Sequence, residues 1–329
     1  MRAIVGEGAS APLAERVWAL SDGMRGNVVQ ARALAELSGL PFDEATVSLA
    51  APWRWVAPRL GDRVPATAIK STLPLHPPFP RLVIGCSRRA GSVVRAIKAW
   101  SGGRTKAVQI LDPSASRSRF DLIIAPRHDG VSGNHVVSTI GSVCPIHPGA
   151  LADARERWRS ALGRLPAPRV AVLVGGNSRR HRLTAAGVDR IAGDLKVLAA
   201  AAGASLMVSV SRRTPKVEAN RLRTALGTAA GHFYDDEGDN PYLGYLAWAD
   251  HVLVTEDSVN MTTEAIATGR PVQTIALDGD SQRFVRFHDH LRGLGYTKPF
   301  AGTLEHWQPP PYEDRARLSR AIKGLIHPG

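Results

Sequence analysis

Three loops in the second half of the chain carry residues suited by type and spacing to binding a phosphorylated nucleotide. The first lies in A-W-A-D-H-V-L-V-T-E-D-S-V-N-M-T-T-E-A-I-A-T-G-R-P-V at 247–272. It reads as a helix end, a buried strand, a polar loop, a second helix and a G-x-P entry into the next strand. The loop 255–260 then sits at the carboxyl end of a strand, where open α/β sheets bind ligands. Asp257, Ser258 and Asn260 stand in it. The helix is expected to begin near Asn260, Met261 and Thr262, whose free backbone N–H groups favour a phosphate. Glu264 follows in the first turns, and an ionised carboxylate has enough lone pairs to accept both hydroxyls of a ribose. The alternative is that Glu264 only complements the helix dipole.

The second loop, V-G-G-N-S-R-R-H (174–181), brings Gly175, Gly176 and Asn177 after another apolar strand. Paired glycines let backbone N–H groups approach a phosphate, although a plain turn reads the same way. No G-K-[ST] follows, and the spacing is not G-x-G-x-x-G. The third loop, S-V-S-R-R-T-P (209–215), offers Ser211 and the guanidinium pair Arg212 and Arg213 to a pyrophosphate. Solvated surface arginines are the alternative. Thr214–Pro215 reads as a helix cap and first helical residue.

In the first half, L-S-D-G-M-R-G-N-V-V-Q (20–30) places Asp22 and Asn27 on a Gly-bearing loop between strand and helix. A-P-R-H-D-G (125–130) adds His128 and Asp129, and I-L-D-P-S-A-S (110–116) adds Asp112 and Ser114. A histidine beside a carboxylate suits a general base working near neutrality, although a surface turn reads the same way. The residues do not single out one base among Asp22, Asp112, His128 and Asp129.

The elements that must position these loops alternate in type. Apolar runs at 16–20, 82–86, 107–111 and 121–125 read as strands of a sheet covered on both faces, with helices at 28–38 and 89–100. Residues 145–168 hold Pro145, Pro148, Pro166 and Pro168 around one basic helix and read as a hinge region. The pattern then restarts, with strands at 169–174, 205–210, 251–255 and 271–277 and helices at 184–202, 215–226 and 261–268. Two Rossmann-like α/β domains facing across a cleft are expected, over residues 1–150 and 151–311. A last helix within 312–329 is expected to pack back on the first domain.

Composition narrows the class. The 329 residues are 44% hydrophobic and 22% charged, ordinary for a globular protein. No apolar run reaches the ~18 residues that span a bilayer. Glu7, Glu15 and Arg16 interrupt any secretory segment. Cys86 and Cys144 have no C-x-x-C spacing, so neither a disulfide framework nor a zinc site is expected. These features fit the cytoplasm. The net charge is +13, and residues 1–168 hold 22 Lys/Arg against 12 Asp/Glu, a balance of +10. A basic first half reads either as a solvated basic surface or as one that meets an anionic lipid or membrane surface, with peripheral attachment at its inner face. Few aromatics interleave with the basic residues, so no specific nucleic acid is expected.

Two resemblances follow from the motifs. The Gly-Gly loop (175–176), A-W-A-D (247–250), S-x-x-x-T-x-E (258–264), G-x-P (269–271) and D-x-x-x-Q (278–282) resemble, in order and spacing, the donor domain of the peptidoglycan N-acetylglucosaminyltransferase, a GT-B enzyme. That likeness implies Glu264 on the ribose of UDP, Gln282 on the sugar, and Ser258 and Asn260 near the diphosphate. The first half departs from that enzyme, having Asn27 where its catalytic-site His is expected. Over nearly the whole chain, D-G-x-x-G-N-x-x-Q (22–30), F-D-L-x-x-x-P-x-H-D (120–129), G-G-N (175–177), S-R-R-T-P (211–215), N-P-Y (240–242) and T-x-D-S-x-x-M-x-x-E-A-x-x-T-G-x-P-V (255–272) resemble the mitochondrial-fission elongated-mitochondria family and its bacterial relatives. The expectation is a GT-B glycosyltransferase that moves a sugar from a UDP-type nucleotide-sugar to a membrane-associated or phosphorylated acceptor, with no cofactor and no metal. The alternative is a non-catalytic adaptor of the same fold. A nucleoside-diphosphate-sugar epimerase is disfavoured, because no Y-x-x-x-K stands beside a G-x-x-G-x-x-G loop.

Overall fold

A computed structural model of the chain describes residues 15–327, apart from 115, 179 and 280. Residues 1–14, which include Glu7, lie outside the described residues. The chain divides into two compact units, Met1–Pro145 with Glu313–Gly329, and Ile146–Tyr312.

The first unit runs β1 (Val17–Ser21), α1 (Arg25–Glu36), β2 (Phe42–Leu49), α2 (Trp53–Leu60), β3 (Ile69–Ser71), β4 (Leu82–Cys86), α3 (Arg88–Trp100), β5 (Lys106–Ile110), β6 (Leu122–Pro126) and β7 (Val136–Thr139). The strands order as β3-β2-β1-β4-β5-β6-β7, parallel except at the β2–β3 pair. Side chains alternate across each strand and feed two cores. Trp18 and Leu20 join Val93, Val94 and Ile97 of α3 on one face. Val17 and Ala19 join Ala31 and Leu34 of α1 on the other. β2 was not anticipated in sequence. It reads F-D-E-A-T-V-S-L, and only Ala45, Val47 and Leu49 turn inward. Its acids meet the arginines Arg16 and Arg32 instead.

The second unit runs α4 (Pro148–Arg157), α5 (Arg159–Leu162), β8 (Arg169–Val174), β9 (His181–Arg182), α6 (Ala185–Ala202), β10 (Ser205–Val210), α7 (Lys216–Leu226), β11 (Ala230–Tyr234), α8 (Tyr242–Trp248), β12 (His251–Thr255), α9 (Val259–Ile266), β13 (Val272–Ile275), β14 (Asp278–Gly279), α10 (Gln282–Gly293) and β15 (Thr297–Pro299). Six of its strands form a parallel sheet in the order β11-β10-β8-β12-β13-β15. Val170, Val172 and Val174 of β8 pack under Val188, Ile191, Leu195 and Leu198 of α6, a helical spacing of buried positions. Thr184 caps α6 by accepting from Gly187 N at 3.1 Å, and Gly203 ends it in the left-handed conformation.

The final helix, α11 (Asp314–Ile326), belongs to the first unit. Leu318, Ile322 and Ile326 sit in the core that α1 covers. The buried Asp314 carboxylate accepts from Ile140 N at 2.6 Å, and Arg81 donates to the Ile326 carbonyl. No helix among the described residues is long and apolar enough to cross a membrane.

Candidate functional site

In the second sheet the chain leaves β8 for β10 on one side, whereas β12 continues to β13 on the other. Loops after two such neighbouring strands diverge and open a crevice at their carboxyl ends. Here those ends are Val174 and Thr255. All three expected loops are brought to this edge.

Asp257 organises the crevice and is buried. Its Oδ1 accepts from Thr255 Oγ1 at 2.7 Å, and its Oδ2 accepts from Gly176 N at 3.1 Å and from an Arg213 Nη at 2.6 Å. Thr255 Oγ1 in turn accepts from Gly175 N at 2.7 Å. The glycine pair is explained by this crowding. A Cβ on Gly175 would lie 1.9 Å from Asp257 Oδ1, and one on Gly176 would lie 2.2 Å from the Arg213 carbonyl carbon. Thus Asp257 and Arg213 meet each other, a role that sequence alone did not assign. Arg212 points outward, more than half exposed, with Asp236 at 3.9 Å.

Small polar groups fix the rest of the two phosphate-side loops. Asn177 N donates to the Arg213 carbonyl at 2.9 Å, and Asn177 Oδ1 accepts from Leu183 N at 3.0 Å. Ser211 Oγ accepts from Arg213 N at 3.2 Å. The Thr214 hydroxyl donates to the Gly175 carbonyl at 2.5 Å. Thr214 is therefore not the helix cap expected from sequence, and α7 starts at Lys216 with Pro215 before it. A short ribbon of β9 with β14 joins the Gly-Gly loop to the segment ahead of Gln282. Thr184 Oγ1 donates to Asp278 Oδ2 at 2.8 Å across the same junction. Gly279 in that ribbon has φ +138, and a Cβ there would strike the Arg180 carbonyl oxygen at 2.1 Å. Gln282 is exposed at the first position of α10.

Helix α9 starts at Val259, earlier than the Asn260–Thr262 expected from sequence, because Ser258 caps it and accepts from Met261 N at 3.3 Å. Asn260 and Met261 are part-exposed on its first turn. Thr262 is fully buried, so it offers this surface no side chain. Glu264 is part-exposed, and Tyr242 donates its hydroxyl proton to Glu264 Oε2 at 2.6 Å. Tyr242 opens α8 after Asn240, whose Oδ1 accepts from Tyr242 N at 2.9 Å. The N-P-Y motif was visible in sequence, but its partner was not. Behind the loop, His288 Nε2 lies 2.9 Å from the Glu256 carbonyl. Burial lowers the His288 pKa, so the neutral ring donates there.

In the first unit the carboxyl ends of β1 and β4 form a second switch point. Asp22 Oδ1 accepts from Asn27 Nδ2 at 2.9 Å and from Met24 N at 3.2 Å, and Cys86 Sγ lies 3.5 Å from Asn27 Oδ1. Burial raises the Cys86 thiol pKa, so it stays protonated. Asp112 is gripped by Arg117 through two contacts at 2.9 and 2.8 Å. That hydrogen bonding holds its carboxyl below the usual range, which makes it a weaker base than the sequence suggested. His128 is buried, with Nε2 3.6 Å from Asp129 Oδ1. Among the described residues, no group of three or more His, Cys, Asp or Glu is arranged to hold a metal ion.

Comparison with known proteins adds five likenesses. The family model described as Mitochondrial fission ELM1 matches residues 25–325. The chain is 29% identical over 271 residues to the mitochondrial fission protein ELM1 of Arabidopsis thaliana, covering 74% of this chain and 63% of that protein. It therefore spans less than two thirds of that relative's length. It is 25% identical over 295 residues to the uncharacterized protein RP120 of Rickettsia prowazekii, covering 78% and 82%. Among solved structures it superposes on Os79 from O. sativa in complex with UDP, with TM-score 0.53, 12% identity and coverage of 94% and 91%. A putative UDP-N-acetylglucosamine 2-epimerase from Listeria monocytogenes gives TM-score 0.51, 11% identity and coverage of 95% and 88%. At such identities the likeness is one of fold, the α/β GT-B type.

Proposed function

The chain belongs to the mitochondrial fission ELM1 family, and from that premise and the donor-side geometry we propose that it is a GT-B glycosyltransferase whose second unit binds a nucleoside-diphosphate sugar. The observation that carries this reading is the Glu264 carboxylate, part-exposed beyond the β8–β12 crevice and held by the Tyr242 hydroxyl at 2.6 Å. Tyr242 orients the carboxylate, and the carboxylate takes the ribose hydroxyls. The first-turn N–H groups of α9 and the outward Arg212 take the diphosphate. Gln282, on the segment tied to the Gly-Gly loop, meets the sugar. Negative charge grows on the leaving diphosphate in the transition state, and fixed backbone dipoles with Arg212 stabilise it without a metal or other cofactor. Asp22, His128 and Asp129 are the first unit's candidates for deprotonating an acceptor hydroxyl. The acceptor is phosphorylated or membrane-associated, and the basic residues of the first half draw the protein from the cytoplasm to an anionic surface.

A second reading has its own support. The Arg213–Asp257 pair keeps one of the two arginines occupied at the phosphate side. A non-catalytic adaptor that keeps the fold and the nucleotide accounts for that as well. Titrating the full chain with UDP and with uridine by calorimetry tests the shared premise. UDP is expected to bind and uridine to bind far more weakly; equal binding, or none, overturns the donor site. Slow release of labelled sugar from a UDP-sugar then supports the enzyme over the adaptor.

A further inference from the structure

The lipid reading of the basic half does not say which surface makes contact, and α2 (Trp53–Leu60) supplies one. This helix is laid on the first unit by its small residues. Ala57 is buried in the core shared with α3, and Trp53 packs beside it. Gly61 at its end meets the guanidinium of the buried Arg95, which a Cβ would approach to 2.5 Å. Arg95 binds Asp62 Oδ1 at 2.9 Å, and Arg119 reaches the other carboxylate oxygen at 3.3 Å. The platform is therefore pinned from beneath.

Its outward side inverts the usual pattern. Trp55, Val56 and Leu60 are 63%, 39% and 43% exposed. At about 100° per residue Trp55, Arg59 and Val56 fall on the side away from Trp53 and Ala57, and Leu60 flanks that side next to Trp53. Arg54 lies over the Trp55 ring at 4.0 Å. Exposed arginines on and beside the helix, Arg54, Arg59 and Arg63, accompany the stripe, and the neighbouring acid, Asp62, is shared between Arg95 and the exposed Arg119.

We propose that this face of α2 is a peripheral membrane-docking surface, with Trp55, Val56 and Leu60 entering the interface of an anionic bilayer while Arg54, Arg59, Arg63 and Arg119 meet lipid phosphates. A tryptophan stacked with arginine suits the headgroup level, where one end of the ring is apolar and the other wet. Three side chains on an eight-residue helix are too small a patch for a stable protein interface, which buries about 1,200 Å² or more. Combined with several cations they suffice for reversible attachment to lipid. The inference rests on the lipid reading above and assigns it a place.

The test is co-sedimentation of the full chain with phosphatidylcholine vesicles, with or without phosphatidylglycerol. The wild type is expected to bind only the anionic vesicles, and less as salt rises. Trp55→Ser with Leu60→Ser is expected to weaken that binding about tenfold or more, since an interfacial Trp and Leu supply most of the apolar contact. Arg54→Glu with Arg59→Glu is expected to abolish it. Val197→Ser with Val217→Ser, equally exposed apolar positions of the second unit, is expected to change nothing. Thermal melting checks that each variant is folded. If the α2 variants bind anionic vesicles as the wild type does, the assignment to α2 falls and the lipid reading stands. If the wild type binds neither vesicle, both fall. Binding to polyglutamate but not to vesicles overturns the proposal in favour of an acidic polypeptide partner.

Discussion

Glu264 and the arginine pair carry the sharpest tests at the scale of single residues. Replacing Glu264 by Gln keeps its size and its contact with Tyr242 but removes the charge. A hydrogen bond to a charged group is worth about 1.5–3 kcal/mol, so UDP affinity should fall about tenfold or more. Calorimetry giving the wild-type constant for Glu264→Gln would remove the ribose assignment. Arg212 and Arg213 were equivalent in sequence, and the fold separates them. Arg213→Ala leaves the buried Asp257 carboxylate without its guanidinium. Breaking a fully buried pair costs about 3–5 kcal/mol; with the guanidinium part-exposed, solvent screening lowers that to about 2 kcal/mol. Arg212→Ala, on an exposed side chain, should change stability by less than about 0.5 kcal/mol. Its loss should instead appear in UDP binding and not in uridine binding. Urea melts of the two single variants decide this, and equal stability loss in both would contradict the division of roles.

At the scale of elements, the turn after β8 is set by steric crowding. Gly176→Ala places a methyl against the backbone of Arg213, which sits in a loop that cannot retreat without losing its bond from Asn177. Overpacking of this kind costs about 1–3 kcal/mol. Gly193 is the internal control: it lies mid-helix in α6, and a Cβ there meets nothing within 4 Å. Gly193→Ala should therefore stabilise the protein by about 0.5–1 kcal/mol, through helix propensity alone. Opposite shifts in the melting temperature of the two variants are expected. A destabilised Gly193→Ala or an unaffected Gly176→Ala would show that loop packing is misread. The same elements mark what was legible. Largely apolar strands such as V-W-A-L-S and L-V-I-G-C announced themselves, because a strand covered on both faces leaves few positions for polar side chains. β2 and α10 did not: charges interrupt the first, and the second is polar over most of its length.

For the whole molecule, three histidines give a pH dependence whose sign is fixed. His232, His251 and His288 each have a pKa lowered by burial. The unfolded chain takes up protons near the ordinary value of about 6.5, while the native state resists protonation to lower pH. The stabilisation is complete above that value and is lost as pH falls through the lowered native values. Between pH 7.5 and 5.5 the unfolding free energy should therefore fall, chiefly through His288, the most buried of the three. Guanidinium titrations at the two values measure it, and a flat profile would mean that the rings protonate freely in the native state. By itself the sequence determined the alternation of apolar strands and helices, the doubled α/β pattern, and the strand-end loops that gather the polar residues, because periodicity and turn chemistry are local. Only the tertiary structure decided which side chains meet. Asp257 and Arg213 are 44 residues apart and Tyr242 and Glu264 are 22 apart, and no local signal reports a partner across that distance. Strand order in the sheet sets those distances, and with them which arginine faces solvent and which is held by a buried carboxylate.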